Sequence, residues 1–206
     1  MLYMCAAAFL AVAAHATDDA HHQYKTGDVV TTSCANVRAY AWTPHVTRKL
    51  CESTLRSDKQ STTAKNTRDL ALVAMDLLLR TTTKVDSVLR RHSGSGHHSR
   101  STALTLQYCQ LDYAAIARTV PKCRAMVKEY KPIYPPNPEV GNVYYNCVAM
   151  LGQAASDCWG YVLVDQELAK VVSMEVGEVF QRATLVRAMI EVMTGFSDNN
   201  NYDNDN

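Results

Sequence analysis

The sequence has little of what disordered, fibrous or nucleic-acid-binding proteins are made of. Its 206 residues include only 8 glycines and 6 prolines, which excludes collagen-like and low-complexity material, and 47% of them are hydrophobic, too many for a disordered chain. The 21 basic and 20 acidic side chains almost cancel, so there is no dense positive charge to bind a nucleic acid. Phenylalanine and tryptophan are scarce, with 3 and 2 residues, so aliphatic side chains and 11 tyrosines must fill the core of a single predicted domain.

Long hydrophobic runs are also missing. The apolar stretch over residues 2–14 is shorter than the roughly 20 residues that span a bilayer, and no later segment offers 18 uninterrupted apolar residues. The stretch ends in Ala14-His15-Ala16, a small-x-small signature of signal-peptide cleavage. We therefore predict a signal peptide over residues 1–16 and a secreted protein with no membrane contact once the peptide is removed. The alternative, a buried N-terminal helix, is disfavoured by the two aspartates that follow at once.

Apolar residues recur at spacings of three and four along the rest of the chain, and this pattern is typical of helices in antiparallel bundles. The four apolar seams are Leu70, Ala74, Leu77, Val85 and Val88; Leu106, Cys109, Tyr113, Ile116, Val120, Cys123, Val127 and Tyr130; Tyr144, Cys147, Leu151, Ala154, Cys158 and Tyr161; and Ala169, Val172, Val176, Val179, Ala183, Val186, Ile190 and Met193. They predict an all-α fold, an up-down-up-down four-helix bundle.

The segments between the seams set the predicted boundaries. A Ser/Gly segment over residues 93–96 separates the first two bundle helices, and residues 131–138, with four of the six prolines, separate the second from the third. Pro121 lies within the second helix and should kink it. We place an N-terminal extension at residues 17–32, the helical domain at residues 33–196, and a disordered Asn/Asp-rich tail at residues 197–206.

The cysteine count favours disulfides. Signal-peptide cleavage would remove Cys5 and leave an even number of cysteines in an oxidising compartment, where disulfide bonds are the rule. The six that remain are Cys34, Cys51, Cys109, Cys123, Cys147 and Cys158. None of their spacings matches a zinc knuckle, so we expect neither a metal site nor a cofactor.

The helical periodicity also predicts which cysteines pair. Cys109 and Cys123 are two heptads apart on the second bundle helix, and Cys147 and Cys158 are about three turns apart on the third. An antiparallel hairpin of these helices allows only nested bridges, with Cys123–Cys147 near the loop and Cys109–Cys158 farther from it. The two cysteines nearest the N-terminus then remain to close a local loop.

Four segments carry a resemblance to a known family. They are residues 50–58 (LCESTLRSD), 70–75 (LALVAM), 106–114 (LQYCQLDYA) and 148–158 (VAMLGQAASDC). In the family the corresponding features are a cysteine before Leu-x-Ser-Asp, a Leu/Ala-rich helix, a Cys-x-x-x-Tyr pair and a small-residue run ending in cysteine. Over about three quarters of its length the chain resembles the plant invertase/pectin methylesterase inhibitors, in particular a pollen-allergen-like branch described as invertase inhibitors.

The resemblance implies a fold and a function. The fold is a helical hairpin held by Cys34–Cys51 and packed across a four-helix bundle that Cys109–Cys158 staples. The function is stoichiometric inhibition of pectin methylesterase or acid invertase in the apoplast, the extracellular space of the plant cell wall. Two features depart from the family: the bridge between the other two cysteines is an addition, and the loop over residues 92–101 is longer than usual. Some relatives that block invertase carry Pro-Lys-Phe between the second and third bundle helices.

The loop over residues 131–138 is the first candidate for target binding. Lys131, Pro132 and Ile133 stand where those relatives have Pro-Lys-Phe, and the difference slightly favours pectin methylesterase as the target. Prolines preset an extended backbone, Ile133 and Tyr134 offer apolar anchors, and Lys131 could meet an active-site carboxylate. The alternative interpretation is a rigid connector whose prolines only end two helices.

A second candidate is a basic segment over residues 90–100, which contains Arg90, Arg91, His92, His97, His98 and Arg100. Its charge should rise at the mildly acid pH of the cell wall, which would favour a weak contact with acidic pectin. The alternative is a flexible, solvated loop.

Catalytic patterns are missing from the sequence. It contains no Gly-x-Ser-x-Gly turn, phosphate-binding loop or His-Glu-x-x-His helix. The acids Asp112, Asp157 and Glu175 occupy different helix positions with nothing predicted to pair them. We therefore predict a protein that is not an enzyme. The alternative to an inhibitor is a secreted helical bundle that carries a ligand or has a structural role.

Overall fold

The computed structural model describes residues 28–40, 46–94, 96, 98–133 and 137–195, and these residues form helices and connecting turns, with no strand among them. The predicted signal peptide, most of the extension and the predicted tail lie outside the described residues. Four long helices form the bundle: α3 (Thr67–Gly94), α4 (Arg100–Glu129), α5 (Pro138–Val164) and α7 (Ser173–Thr194). Each packs against the next in the order α3, α4, α5, α7, and α7 packs back on α3. The predicted up-down-up-down bundle is confirmed.

Two shorter helices precede the bundle. Helices α1 (Val29–Tyr40) and α2 (Arg48–Arg56) form the predicted hairpin, joined by Cys34–Cys51 with 5.6 Å between the Cα atoms. A 3₁₀ turn (Lys59–Thr63) leads into α3. Helix α1 lies on α7 and α3, so the hairpin covers one outer side of the bundle. It begins four residues before the domain boundary predicted at residue 33.

The seam of α4 is confirmed along its whole length. All eight positions from Leu106 to Tyr130 are buried. The helix continues through Pro121, whose ring is exposed, so the carbonyl left without a helical N–H partner lies on the solvent side. The predicted kink there stays a prediction.

The predicted seam of α5 is wrong in part. Tyr161 was expected in the core but is 43% exposed, and the buried stripe lies about one residue farther along the helix. The buried apolar positions are Tyr145, Cys147, Val148, Leu151, Ala155, Cys158 and Val162, so Cys147, Leu151 and Cys158 of the predicted seam are confirmed, and Tyr144 and Ala154 are partly buried. Because α5 is apolar on several sides, spacing alone could not choose the face that meets α7, where the ring of Trp159 stacks on that of Phe180 at 4.5 Å.

The fourth seam was predicted as one unbroken helix, but the structure interrupts it. The short helix α6 (Leu168–Val171) ends at Val172, where the backbone leaves the helical region, and α7 begins at the next residue. The amides of Val172 and Val176 still donate to the carbonyl oxygens four residues earlier. The interruption is therefore local and leaves Val172, Val176 and Val179 buried on one face.

The nested disulfide pairing is confirmed. Cys109–Cys158 and Cys123–Cys147 join α4 to α5, with Cα–Cα distances of 4.7 Å and 5.7 Å.

Residues Glu139–Val164 of α5 are long and apolar enough to span a bilayer, and only 28% of the window that meets this test is buried. The mostly buried core helices of soluble proteins also pass this test, which considers length and composition alone.

Candidate functional site

The proline-rich loop lies at the end of the bundle where α4 ends and α5 begins. The N-terminus of α3 and the C-terminus of α7 reach the same end. Together with the loop they line a pocket of about 280 Å³ that is open to solvent. Its lining residues are Asn66, Thr67, Arg68, Tyr130, Pro132, Val192 and Met193. Of these, sequence reasoning identified only Pro132 as a site residue, because the others meet only through the tertiary fold.

Both ends of the loop are anchored. Tyr130 is buried, its ring packs edge-on against that of Tyr144 at 5.2 Å, and its carbonyl oxygen accepts a hydrogen bond from Nη1 of Arg68 at 3.4 Å. At the other end the side chain of Asn137 caps α5 by accepting from the amide of Glu139 at 2.9 Å. The Cys123–Cys147 bridge joins the two helices near this end. The loop therefore starts and finishes at fixed points.

Between these anchors, the described residues of the loop face solvent. Lys131 and Pro132 are exposed, and Ile133 is 47% exposed beside a second, small pocket. Tyr134, the fourth predicted binding residue, lies outside the described residues. The loop thus exposes a cation and an apolar side chain two residues apart, at the end of the bundle where Cys123–Cys147 joins α4 to α5. Such a segment is suited to entering a cleft that contains a carboxylate.

The basic segment lies at the opposite end of the bundle, where acidic side chains already pair with two of its basic side chains. Arg90 pairs with Asp86 at 2.7 Å. His98 contacts Glu167 Oε1 through Nδ1 at 2.7 Å and the carbonyl oxygen of His92 through Nε2 at 2.6 Å. Both nitrogens face acceptors, so the His92 carbonyl first, and Glu167 second, raise the pKa of His98. His97 lies outside the described residues, and pectin binding stays a prediction.

Two of the three acids expected to be unpaired are brought together. Asp112 of α4 and Asp157 of α5 interact across the helix interface, and burial first, then the charge of Asp157, raise the pKa of Asp112 to about 6. Asp157 accepts a hydrogen bond from Nε2 of Gln153 at 2.7 Å. The sequence analysis treated these acids as isolated and did not predict that they lie near each other. The predicted Cys109–Cys158 bridge fixes the register of the two helices and could have revealed this proximity.

An apolar surface surrounds this acidic pair. Tyr108 of α4 and Tyr161 of α5 are both exposed, with their ring centroids 5.5 Å apart. Other large exposed apolar side chains on these two helices are Leu104, Leu111, Val143, Met150, Leu163 and Val164. The α4–α5 pair therefore leaves apolar area uncovered by the described part of the chain.

Comparison with known proteins adds no assignment, since neither a protein-family model nor a curated protein matches the chain significantly. Among the described residues, no group of three or more His, Cys, Asp or Glu side chains is arranged to hold a metal ion.

Proposed function

We propose that the protein is an extracellular inhibitor, similar to the plant invertase/pectin methylesterase inhibitors, which docks stoichiometrically on a cell-wall enzyme and blocks its active-site cleft. The docking element is the segment Lys131–Ile133, at the end of the bundle where the Cys123–Cys147 bridge joins α4 to α5. Pectin methylesterase is the first target to test and acid invertase the second. Three intramolecular disulfides are compatible with an extracellular location.

One observation carries the proposal. A short, proline-containing segment exposes Lys131 and Ile133, while the residue before it, Tyr130, is fixed by packing and a disulfide joins the two flanking helices nearby. Little conformational entropy would be lost when such a segment enters a cleft, and this is how rigid inhibitor loops gain affinity. A mere connector between two helices would not need to expose a large apolar side chain beside a cation.

The alternative, a non-inhibitory bundle that carries a ligand or has a structural role, makes a different demand. A carrier needs an enclosed apolar cavity, whereas the pocket of about 280 Å³ beside the loop and another of about 470 Å³ at the opposite end of the bundle are open to solvent. The exposed apolar side chains of α4 and α5 favour a protein partner over a ligand held inside. These features support docking.

The test is a titration of pectin methylesterase and of acid invertase with the oxidised, secreted protein at mildly acid pH. We expect stoichiometric loss of one activity. Ile133→Ala and Lys131→Gln should each weaken inhibition about tenfold, because each removes a contact made in the cleft. Met174→Ala and Lys170→Gln are matched controls, since both residues are exposed on other parts of the surface.

The outcomes separate the alternatives. Inhibition that is lost in the loop variants and kept in the controls supports the loop as the docking element. Equal inhibition by all four variants would show that the docking site lies on another surface. Inhibition of neither enzyme by the parent protein contradicts the proposal and favours the non-inhibitory bundle.

A further inference from the structure

The exposed surface shared by α4 and α5 combines two kinds of chemistry in one place. Tyr108 and Asp112 are one helical turn apart on α4, and Asp157 and Tyr161 are one turn apart on α5. Because the helices are antiparallel, the ring centroids of Tyr108 and Tyr161 lie 5.5 Å apart, and the same register places Asp112 opposite Asp157, near enough for the two charges to interact. The Cys109–Cys158 bridge lies between the two turns and holds this register. We call these four side chains the Tyr/Asp quartet.

An apolar rim borders the quartet. On α4, Leu104 and Leu111 are exposed within a turn of Tyr108, and on α5 Val164 is exposed one turn beyond Tyr161. Met150, two turns before Asp157, continues the same stripe. Large apolar side chains left in water around a pair of partly buried carboxylates are typical of a surface that a partner covers.

Charge tells which partner chemistry suits the quartet. Helix α5 contains no lysine or arginine between residues 138 and 164. Within the described residues, neither aspartate of the quartet forms an ion pair, and Asp157 accepts a hydrogen bond from the neutral amide of Gln153. Burial and the neighbouring charge both make the carboxylate form of Asp112 costly, so a cation brought by a partner would be stabilising here.

Arginine fits this setting better than lysine. Its planar guanidinium stacks on a tyrosine ring and donates two parallel hydrogen bonds to a carboxylate, and it loses less hydration than an ammonium group. The two faces of the quartet, aromatic and anionic, offer both interactions within one helical turn. The apolar rim requires that the residues next to the arginine be apolar as well.

We propose that the Tyr/Asp quartet receives an arginine side chain from a partner protein whose surrounding surface is apolar. The proposal concerns a surface on the side of the bundle, away from the proline-rich loop, and it stands whether or not the loop inhibits an enzyme.

A peptide titration followed by NMR tests the proposal on the full oxidised chain at neutral pH. The probe is acetyl-Leu-Arg-Leu-amide, and the control peptide is acetyl-Leu-Gln-Leu-amide, which keeps the apolar residues and removes the charge. We expect saturable shifts of the Tyr108 and Tyr161 ring signals with the arginine peptide. The glutamine peptide should bind about tenfold more weakly, as expected for loss of a charge-assisted and cation–π contact.

Paired variants separate the charge of the quartet from the general charge of the helices. The double variant Asp112→Asn and Asp157→Asn should reduce affinity for the arginine peptide about tenfold. The matched control, Glu129→Gln and Glu139→Gln, removes one exposed acid from each of the same two helices and should bind like the parent. Unchanged core amide signals would show that both variants fold.

Three results would overturn the proposal: equal binding of the two peptides, equal loss in the control variant, or shifts confined to other surfaces. Analytical ultracentrifugation of the parent chain tests whether a second copy of the chain covers the quartet. A dimer that dissociates in the quartet double variant would identify a second copy as the partner and would contradict an arginine supplied by a different protein.

Discussion

Helices α5 and α7 are neighbours in the same bundle and both are rich in apolar residues, but the fold covers them differently. Helix α7 is packed against α3 and α5 and has α1 on a further side, so Leu185, Val186 and Met189 are all buried. Helix α5 has an outer side that no described element covers, where Met150 and Val164 are exposed. Helix α7 contains no cysteine, whereas α5 has two, each bonded to α4. Packing holds one helix, and covalent bridges reinforce the attachment of the other.

The largest test of this comparison removes a bridge. Replacing Cys109 and Cys158 by alanine should lower the free energy of unfolding by about 3.5 kcal/mol, because with the nested Cys123–Cys147 bridge intact the outer bridge closes a loop of only about 25 further residues in the unfolded chain. The same change at Cys123 and Cys147 should cost about as much, since the inner bridge closes a loop of similar length. Denaturation by guanidinium chloride measures both. A clear difference between the two losses would show that native packing around the bridges, and not loop entropy, sets their contribution.

A pair of identical substitutions compares the two helices directly. Met189→Ala on α7 should cost about 3 kcal/mol, because the side chain is fully buried and its removal leaves a cavity. Met150→Ala on α5 should change stability by less than about 0.5 kcal/mol, since that side chain is 59% exposed. Thermal and chemical denaturation report both values. A cost of 2 kcal/mol or more at Met150 would mean that something covers α5 in solution.

The smallest effect concerns Asp112 and depends on pH. Its pKa is raised to about 6 in the folded protein, above the value of the unfolded chain. The folded state therefore holds the proton more tightly, and stability from this group is complete below about pH 4 and is lost as the pH rises through 6. Asp112→Asn removes this loss. We expect it to stabilise the protein by about 1 kcal/mol at pH 7, allowing for solvent screening of a partly exposed group, with little change at pH 4.

The measurement is the urea-unfolding free energy of both proteins between pH 4 and pH 7. Glu129→Gln, an exposed change on the same helix, is the control and should give parallel curves. An Asp112→Asn curve parallel to that of the parent would contradict the assigned pKa shift.

The fold could be predicted from the sequence because its main determinants are periodic. The α4 seam matched the structure at every position, since one stripe of apolar residues stands out on that helix, and the disulfide pairing followed from helix geometry. Prediction failed on α5, where apolar residues occur on more than one side and Tyr161 was assigned to the core. Apolar spacing identifies a buried face only when the other faces are polar.

The candidate sites were less predictable than the fold. The loop residues Lys131, Pro132 and Ile133 were found because proline marks a connection, but the contact of Arg68 with the loop depends on where α3 begins in space. Asp112 and Asp157 are far apart in sequence, and their meeting was missed although the predicted bridge beside them implied it. Pairs of this kind can be found by carrying a predicted disulfide register through to the neighbouring positions.

The lack of basic residues in α5 also determines how the bridges can be mapped chemically. Trypsin cuts after lysine and arginine except before proline, so the bond after Lys131 resists it and cleavage leaves residues 129–170 as one peptide. That peptide contains both Cys147 and Cys158, so an unreduced tryptic digest yields a single three-chain product in which the two pairings have the same mass. Cyanogen bromide cleavage after Met150 separates these two cysteines, and the masses of the products then identify the partner of each.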